Sequence, residues 1–414
     1  MDCLRNIIPK IELHPSQNKG VEMALMFHRV LLGHDTGMGK SYMYATVIRG
    51  LLNVNPDGKH IIVMIHDSMS QLPQDIANLA ECPVAAVDAT QNSANYFSKL
   101  FATNSVICMT YEAFTVPSIL LELYQCLPLV ESFSLDEAHH ASNWDTSDTA
   151  LMIRAFAQFA KYNIGLTATP MTVSSKQFYR LMNILDRDLS SRRDETFANK
   201  YTERYLPANR EDYGIKGQYK TTLIQVVPQV DQLGKQSGIV FKGLKGTGAE
   251  HQVEALVKVL QERVADGKQC IVYIAYHDSR HWVEQHLDKA GLRYTSIHGQ
   301  VVSKEERAKR AALFRDRKVD ILLTSISESL NLSADVVVFY EFNAKMKQVI
   351  GRAHRGLEGK NLEIVVIITQ DTDEVDFFKE KVQQRAERAQ TILHKDYSEI
   401  LALGDEIDKM QLDD

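Results

Sequence analysis

Short apolar runs rich in β-branched residues recur along the chain and alternate with stretches of helical spacing. In the first half the runs are Val30–Leu32, Ile61–Ile65, Val84–Val87 and Val106–Met109. In the second half they are Ile271–Ala275, Ile321–Leu323, Val336–Tyr340 and Ile364–Ile368. Between such runs, Val253, Leu256, Val257, Leu260 and Val264 return to one helix face. Strands alternating with helices predict an α/β protein built on mostly parallel sheets with helices on both faces. The two clusters of runs predict two lobes.

The join is expected between Tyr205 and Glu250, where LPANREDYGIKG and FKGLKGTG are rich in glycine and polar residues. A boundary near residue 230 gives lobes of 1–229 and 230–414. TTLIQVVPQV, ahead of that boundary, reads as an edge strand. Ser174–Leu206 reads as a helical extension of the first lobe, because Phe178, Leu181, Met182 and Leu185 recur at i, i+3, i+4 and i+7.

Composition removes several classes. Apolar residues make up 44% and charged residues 24% of 414, which excludes a disordered or fibrous chain. The apolar runs, Ile364–Ile368 among them, are too short to span a bilayer. The N-terminus has Asp2 and Glu12 and no signal-peptide core, so a cytoplasmic protein without a membrane role is expected. Cys3, Cys82, Cys108, Cys126 and Cys270 form no CxxC pair, which argues for a reducing compartment and against zinc. The net charge of −6 comes mostly from residues 361–414, with 6 Lys/Arg against 14 Asp/Glu. Residues 301–360 hold 12 basic against 8 acidic groups. A locally basic groove is therefore compatible with an acidic total, because screening cuts off distant charges.

The first chemistry follows Val30–Leu32, where GHDTGMGKS runs from Gly33 to Ser41. A strand, a glycine-rich turn and a helix start form the context of a phosphate-binding loop. Gly37, Met38 and Gly39 would curl the backbone so that its N–H groups face phosphates. Lys40 would reach the β- and γ-phosphates and Ser41 would offer its hydroxyl to magnesium. The strict pattern wants glycine at position 34, where this chain has His34. A glycine turn with an incidental lysine is the competing reading. Further on, Ser132–Leu135 leads into Asp136 and Glu137. A carboxylate at a strand end can hold magnesium, and the next can deprotonate the attacking water. Alone, such a pair is usually a solvated helix start. About 100 residues after a phosphate loop it points to nucleoside triphosphate hydrolysis.

With these motifs in order, the chain resembles the superfamily 2 helicases and translocases. Gln17, in LHPSQNKGVEMAL, is similar to the glutamine that reads adenine. Ile61–Leu72 resembles the motif that contacts the nucleic-acid backbone. Thr110 and Tyr111 stand in a TYE signature, and LTATP, Leu166–Pro170, is similar to the coupling motif with Thr167 and Thr169. SIHGQVVSKEERAKRAALF resembles the segment containing Gly299 and Arg307. ILLTSISESLNLSAD carries Thr324, and QVIGRAHRG fits QxxGRxxR with Gln348, Arg352 and Arg355. The resemblance implies two RecA-like lobes with ATP in the inter-lobe cleft. It also implies ATP and Mg2+ as ligands, and an arginine from the second lobe acting on the γ-phosphate. Its catalytic set is Lys40, Asp136, Glu137, Gln348, Arg352 and Arg355.

TYE, DEAHHASN with Asn143, and SLNLSAD resemble the Swi/Snf-type DNA translocases in particular. Ser329 and Ala168 depart from the glycines that group carries. Compact enzymes of this kind occur in phages, where some unwind forks and migrate branches, which would place this chain in a host cytoplasm. The resemblance thus implies an ATP-dependent motor on single-stranded, forked or branched DNA, acting in replication, recombination or repair as a monomer. A duplex translocase without unwinding, an RNA helicase and an inactive clamp are the alternatives. The acidic segment after Thr369 is expected to be dispensable for ATP chemistry beyond about residue 395, although Phe377, Phe378, Val382 and Ile392 suggest packing on the second lobe.

Overall fold

Each apolar run named above becomes part of a strand, and the strands form two separate parallel sheets. The computed structural model describes residues 11–90, 96–143, 146–171, 174–189, 203–214, 218–226, 247–299, 304–325, 332–342, 346–353, 361–369 and 374–412. The first sheet holds β1 (Arg29–His34), β2 (Lys59–Met64), β3 (Val84–Val87), β4 (Val106–Thr110), β5 (Val130–Asp136), β6 (Tyr162–Leu166) and β7 (Tyr205–Ala208). Their order is β3-β4-β2-β5-β6-β1-β7. The second holds β8 (Gln218–Val226), β9 (Cys270–Tyr273), β10 (Tyr294–Ile297), β11 (Ile321–Thr324), β12 (Val336–Phe339) and β13 (Asn361–Thr369), in the order β10-β11-β9-β12-β13-β8. Parallel strands need crossover connections, so helices lie on both faces and most central strands are largely apolar.

The chain divides into two compact units, Met1–Tyr213 and Gly214–Asp414. The division falls ahead of the 229/230 boundary expected from composition. The reason is β8, which pairs along its whole length with β13 and so belongs to the second sheet. It is an edge strand as expected, but of the other unit. The helical reading of 174–206 is also corrected. The helix Ser175–Leu185 forms with its capping box, and Phe178, Leu181, Met182 and Leu185 are buried. Tyr205 and Leu206, however, lie in β7, parallel to β1.

In the first unit the sheet order sets up the site. Strands β5, β6 and β1 are neighbours, so the segments leaving their carboxyl ends lie side by side. Those segments are Asp136–Glu137, Thr167–Pro170 and the glycine loop. In open α/β sheets this is where ligands bind. The polar strand β5 is explained by His60 of β2, whose Nδ1 lies 2.9 Å from Ser132 Oγ. Burial pushes His60 down to about 4, so the ring is neutral at physiological pH.

In the second unit two carboxyl groups are buried beside the sheet. Glu341 accepts the N–H groups of Ala275 (2.8 Å) and Tyr276 (3.0 Å), and Glu374 accepts that of Thr369 (2.7 Å). Burial first of all pushes both up to about 7. A carboxyl raised in the fold favours the folded state most when protonated. Its contribution is full below the ordinary pKa near 4.5 and is lost as pH rises through about 7. Glu374→Gln keeps an oxygen acceptor and removes the ionisation. Its stability relative to wild type is therefore expected to rise between pH 5 and pH 8, by on the order of 1–3 kcal/mol. Thermal unfolding of both proteins across that range checks this; a difference independent of pH would contradict it.

The acidic C-terminal segment is packed rather than peripheral. Phe378 and Val382 are buried, as the sequence suggested, and so are Ile400, Leu403 and Ile407 of the helix Ser398–Leu412. A cut after residue 395 would remove that packed helix.

Candidate active site

The glycine loop folds as its residue types require. β1 ends at His34, and Gly37 and Gly39 take positive φ values of 85° and 69°. Gly39 caps the helix Lys40–Val54 in the left-handed conformation, and a Cβ there would collide with Gln17 Nε2. Glycine is needed twice over at that position, for its φ and for its size. The Lys40 ammonium donates to the carbonyls of His34 (3.0 Å) and Asp35 (3.2 Å), which lays it across the loop. Ser41 is the second residue of the helix whose positive end opens at the loop.

His34 occupies the position where the strict pattern has glycine because the chain is still extended there. It is the last residue of β1, fully buried, with Nε2 3.3 Å from the carbonyl of Ser16. Its ring also meets the edge of Tyr213, 6.1 Å between centroids. Gln17 ties the same region together. Its Oε1 accepts the N–H of His14 (2.8 Å), completing the capping box of the helix Pro15–Phe27. Its Nε2 donates to the carbonyl of Met38 (3.0 Å).

Asp136 ends β5 and is half-buried. Burial and then the neighbouring Glu137 carboxylate push it up to about 7, while the charge of Lys40 and the hydroxyl of Ser68 pull it down. Lys40 therefore lies close enough to act on Asp136. Two adjacent carboxylates facing a lysine and a phosphate loop suit a divalent cation. Among the described residues no cluster of three or more His, Cys, Asp or Glu could hold a metal alone. Magnesium needs none, since it commonly takes one or two carboxylates and the substrate's phosphates.

Glu137 has φ 46°, a left-handed conformation costing on the order of 1–3 kcal/mol for a residue with a side chain. Two neighbours hold it. The Tyr111 hydroxyl donates to the carbonyl of Asp136 (2.9 Å) and reaches that of Glu137 (3.5 Å). His139 Nδ1 stands 3.6 Å from Glu137 Oε2 and 2.9 Å from Thr167 Oγ1, and Thr167 Oγ1 accepts the N–H of Thr169 (3.1 Å). One imidazole nitrogen thus joins the acidic motif to LTATP.

The expected residues fall into groups. Gln17, Gly37, Met38, Gly39, Lys40 and Ser41 share the loop, with Asp136 within reach of the Lys40 charge. Glu137, Thr167 and Thr169 are connected through His139. Thr110 does not join them. It is buried, and its hydroxyl caps the turn Tyr111–Thr115 by accepting the N–H of Ala113 (3.3 Å). Thr324 ends β11 in the second unit and is buried. Gln348 and Arg352 lie on the helix Met346–Ala353 of that unit, and Arg355 lies outside the described residues. Sequence reasoning gave no individual role to Tyr111, His139 or Ser68. Ser68 Oγ is 3.5 Å from Asp136 Oδ2, although its segment resembles a nucleic-acid-contacting motif.

Comparison with known proteins follows from this geometry. Residues 16–264 match the SNF2-related domain and residues 251–357 match the helicase conserved C-terminal domain. A DEAD-box ATP-dependent RNA helicase 39 from Arabidopsis thaliana is 27% identical over 130 residues, which span 30% of this chain and 21% of that protein. Among solved structures, the Hef helicase domain of Pyrococcus furiosus superposes with a TM-score of 0.57 at 16% identity, covering 87% of this chain and 97% of that one. The SWI2/SNF2 ATPase core of Sulfolobus solfataricus, solved with double-stranded DNA, gives a TM-score of 0.45 at 16% identity, covering 90% and 91%.

Proposed function

We propose a function from the premise that this chain belongs to the SNF2-related family of ATP-hydrolysing, helicase-type enzymes: it couples ATP hydrolysis to movement along DNA, unwinding or remodelling forked or branched duplexes. The observation that carries the reading is the convergence of the phosphate loop with Asp136 and Glu137 on adjoining strands, together with the link from Glu137 through His139 to Thr167.

In this reading the loop N–H groups and Lys40 hold the β- and γ-phosphates, and Gln17 turns toward the adenine. Ser41 and Asp136 would hold magnesium, whose charge would shield the γ-phosphate. Glu137 takes a proton from the attacking water. Arg352 and Arg355, with Gln348 of the same motif, supply the positive charge that the γ-phosphate needs in the transition state. His139 and Thr167 give a physical route by which a grip on nucleic acid at LTATP would reorient the base. Backbone phosphates supply most of the affinity, so no base reading is required of this chain.

An RNA helicase is the second reading, favoured by the match to the Arabidopsis protein. ATP turnover measured with single-stranded DNA, duplex DNA, forked DNA and RNA separates the two. DNA is expected to stimulate turnover, forks most strongly. Stimulation by RNA alone would replace the DNA reading.

A further inference from the structure

The helix Met346–Ala353 carries Gln348 and Arg352, and Arg355 follows just beyond its end. Its apolar face, Met346, Val349, Ile350 and Ala353, is buried in the second unit. The C-terminal segment grips it from the flank. Lys347 Nζ lies 2.7 Å from Glu399 Oε1 and 5.1 Å from the centre of the Tyr397 ring. The Glu399 side chain has no exposed surface and that of Lys347 is 17% exposed. The contact is an ion pair, in which the Lys347 ammonium compensates the buried Glu399 carboxylate.

The segment that brings these groups is itself anchored. Glu399 sits in the first turn of the helix Ser398–Leu412, whose face of Ile400, Leu403 and Ile407 is buried. A Cβ on Gly404 would stand 2.8 Å from Gln383 Cδ, so this helix presses on the π-turn Phe378–Gln383. Phe378 of that turn packs on Phe342, just ahead of the helix Met346–Ala353, with ring centres 5.0 Å apart. The acidic tail therefore touches both Phe342 and the first turn of this helix. A buried ion pair is a poor device for stability, since an apolar pair of similar size would serve as well or better. It is a good device for fixing one setting, because a misplaced partner leaves a buried charge uncompensated. A helix pinned on one face and one flank cannot rotate about its axis, and that rotation sets where its remaining residues stand.

We propose that Lys347, held by Glu399 and Tyr397, is a positioning residue that sets the helix bearing Gln348 and Arg352, and with it the QxxGRxxR motif, for ATP hydrolysis. The proposal rests on the reading of that motif's arginines given above, and it makes the C-terminal segment part of the motor.

The test uses the full chain and compares Lys347→Met, Lys347→Arg, Glu399→Gln, Arg355→Ala and the double variant Lys347→Met/Arg355→Ala. The readings are kcat and KM for ATP with duplex DNA, and melting temperature. Displacements on the ångström scale cost up to about 10²-fold in rate, so Lys347→Met and Glu399→Gln are expected to lose about tenfold to 10²-fold in kcat, with KM within about twofold. Lys347→Arg keeps the cation and is expected to recover most of the rate. Lys347→Met is expected to cost less when added to Arg355→Ala than in the wild-type chain, because both changes weaken the same motif. Lys347→Met keeps the packed stem and lets Glu399 protonate, so it decides the matter if Glu399→Gln does not fold. Wild-type kcat in Lys347→Met, beside a dead Arg355→Ala, would overturn the clamp and leave the arginine reading standing. Full independent losses in the double variant would also overturn it. Wild-type turnover in Arg355→Ala would pass the γ-phosphate role to Arg352 of the same helix, and the kcat of Lys347→Met would still decide the clamp.

Discussion

Glutamine in place of Glu137 is expected to leave ATP binding intact and to slow hydrolysis by about 10²- to 10⁴-fold. Glutamine can hydrogen-bond a water but cannot take its proton. The surroundings predict a clean loss of chemistry, because the groups that set this residue's position do not depend on its charge. Its left-handed backbone is held by the Tyr111 hydroxyl, and its side chain stands 3.6 Å from His139. Gln17 and Lys40 donate to loop carbonyls, Gln17 to that of Met38 and Lys40 to those of His34 and Asp35. Equilibrium binding of ATP measured beside single-turnover hydrolysis separates the two effects. Lost binding with normal turnover of whatever ATP is bound would show that Glu137 is not the base.

The fold was legible wherever burial on both faces left a strand uniformly apolar. It was obscured where a strand carries a polar or missing side chain for a packing reason. β6 reads weakly because of Asn163 and Gly165. Yet the Asn163 amide donates to the carbonyl of Leu185 (3.0 Å), and a Cβ on Gly165 would stand 2.8 Å from Leu31 Cδ1. β10 is short and holds Thr295 and Ser296, both buried. The allegiance of β8 was hidden because its partner, β13, lies far along the chain. Local pattern identifies a strand, but a distant pairing decides which sheet receives it.

The candidate site divides in the same way. The phosphate loop, Asp136 and Glu137 were legible because chemistry restricts their residue types and their spacing to neighbouring elements. His139 was not, since its partner Thr167 is 28 residues away and histidine after an acidic pair has several uses. Tyr111 acts through its hydroxyl on a backbone carbonyl, which leaves no pattern in the sequence. The tail misled because its charge is conspicuous and its buried face is not. Glu399 reads as one more surface acid until its ion pair with Lys347 is seen.

The second large effect concerns Arg355. If the first unit holds ATP and the second completes the charge around it, Arg355→Ala should lose about 10³- to 10⁵-fold in DNA-stimulated turnover. Nucleotide binding should change little, because the loop and Lys40 supply it. Lysine at this position should rescue poorly, since a point charge does not reproduce a planar fork of donors. Arg352 is the alternative donor, three positions earlier in the same motif.

The central proposal is that hydrolysis needs Arg355 as well as the phosphate loop and is stimulated by DNA. It is tested most directly by steady-state ATP turnover of Arg355→Ala with and without duplex DNA, measured beside nucleotide affinity. The predicted result is near-normal affinity with DNA stimulation lost. Stimulation by DNA to the wild-type rate would contradict the claim.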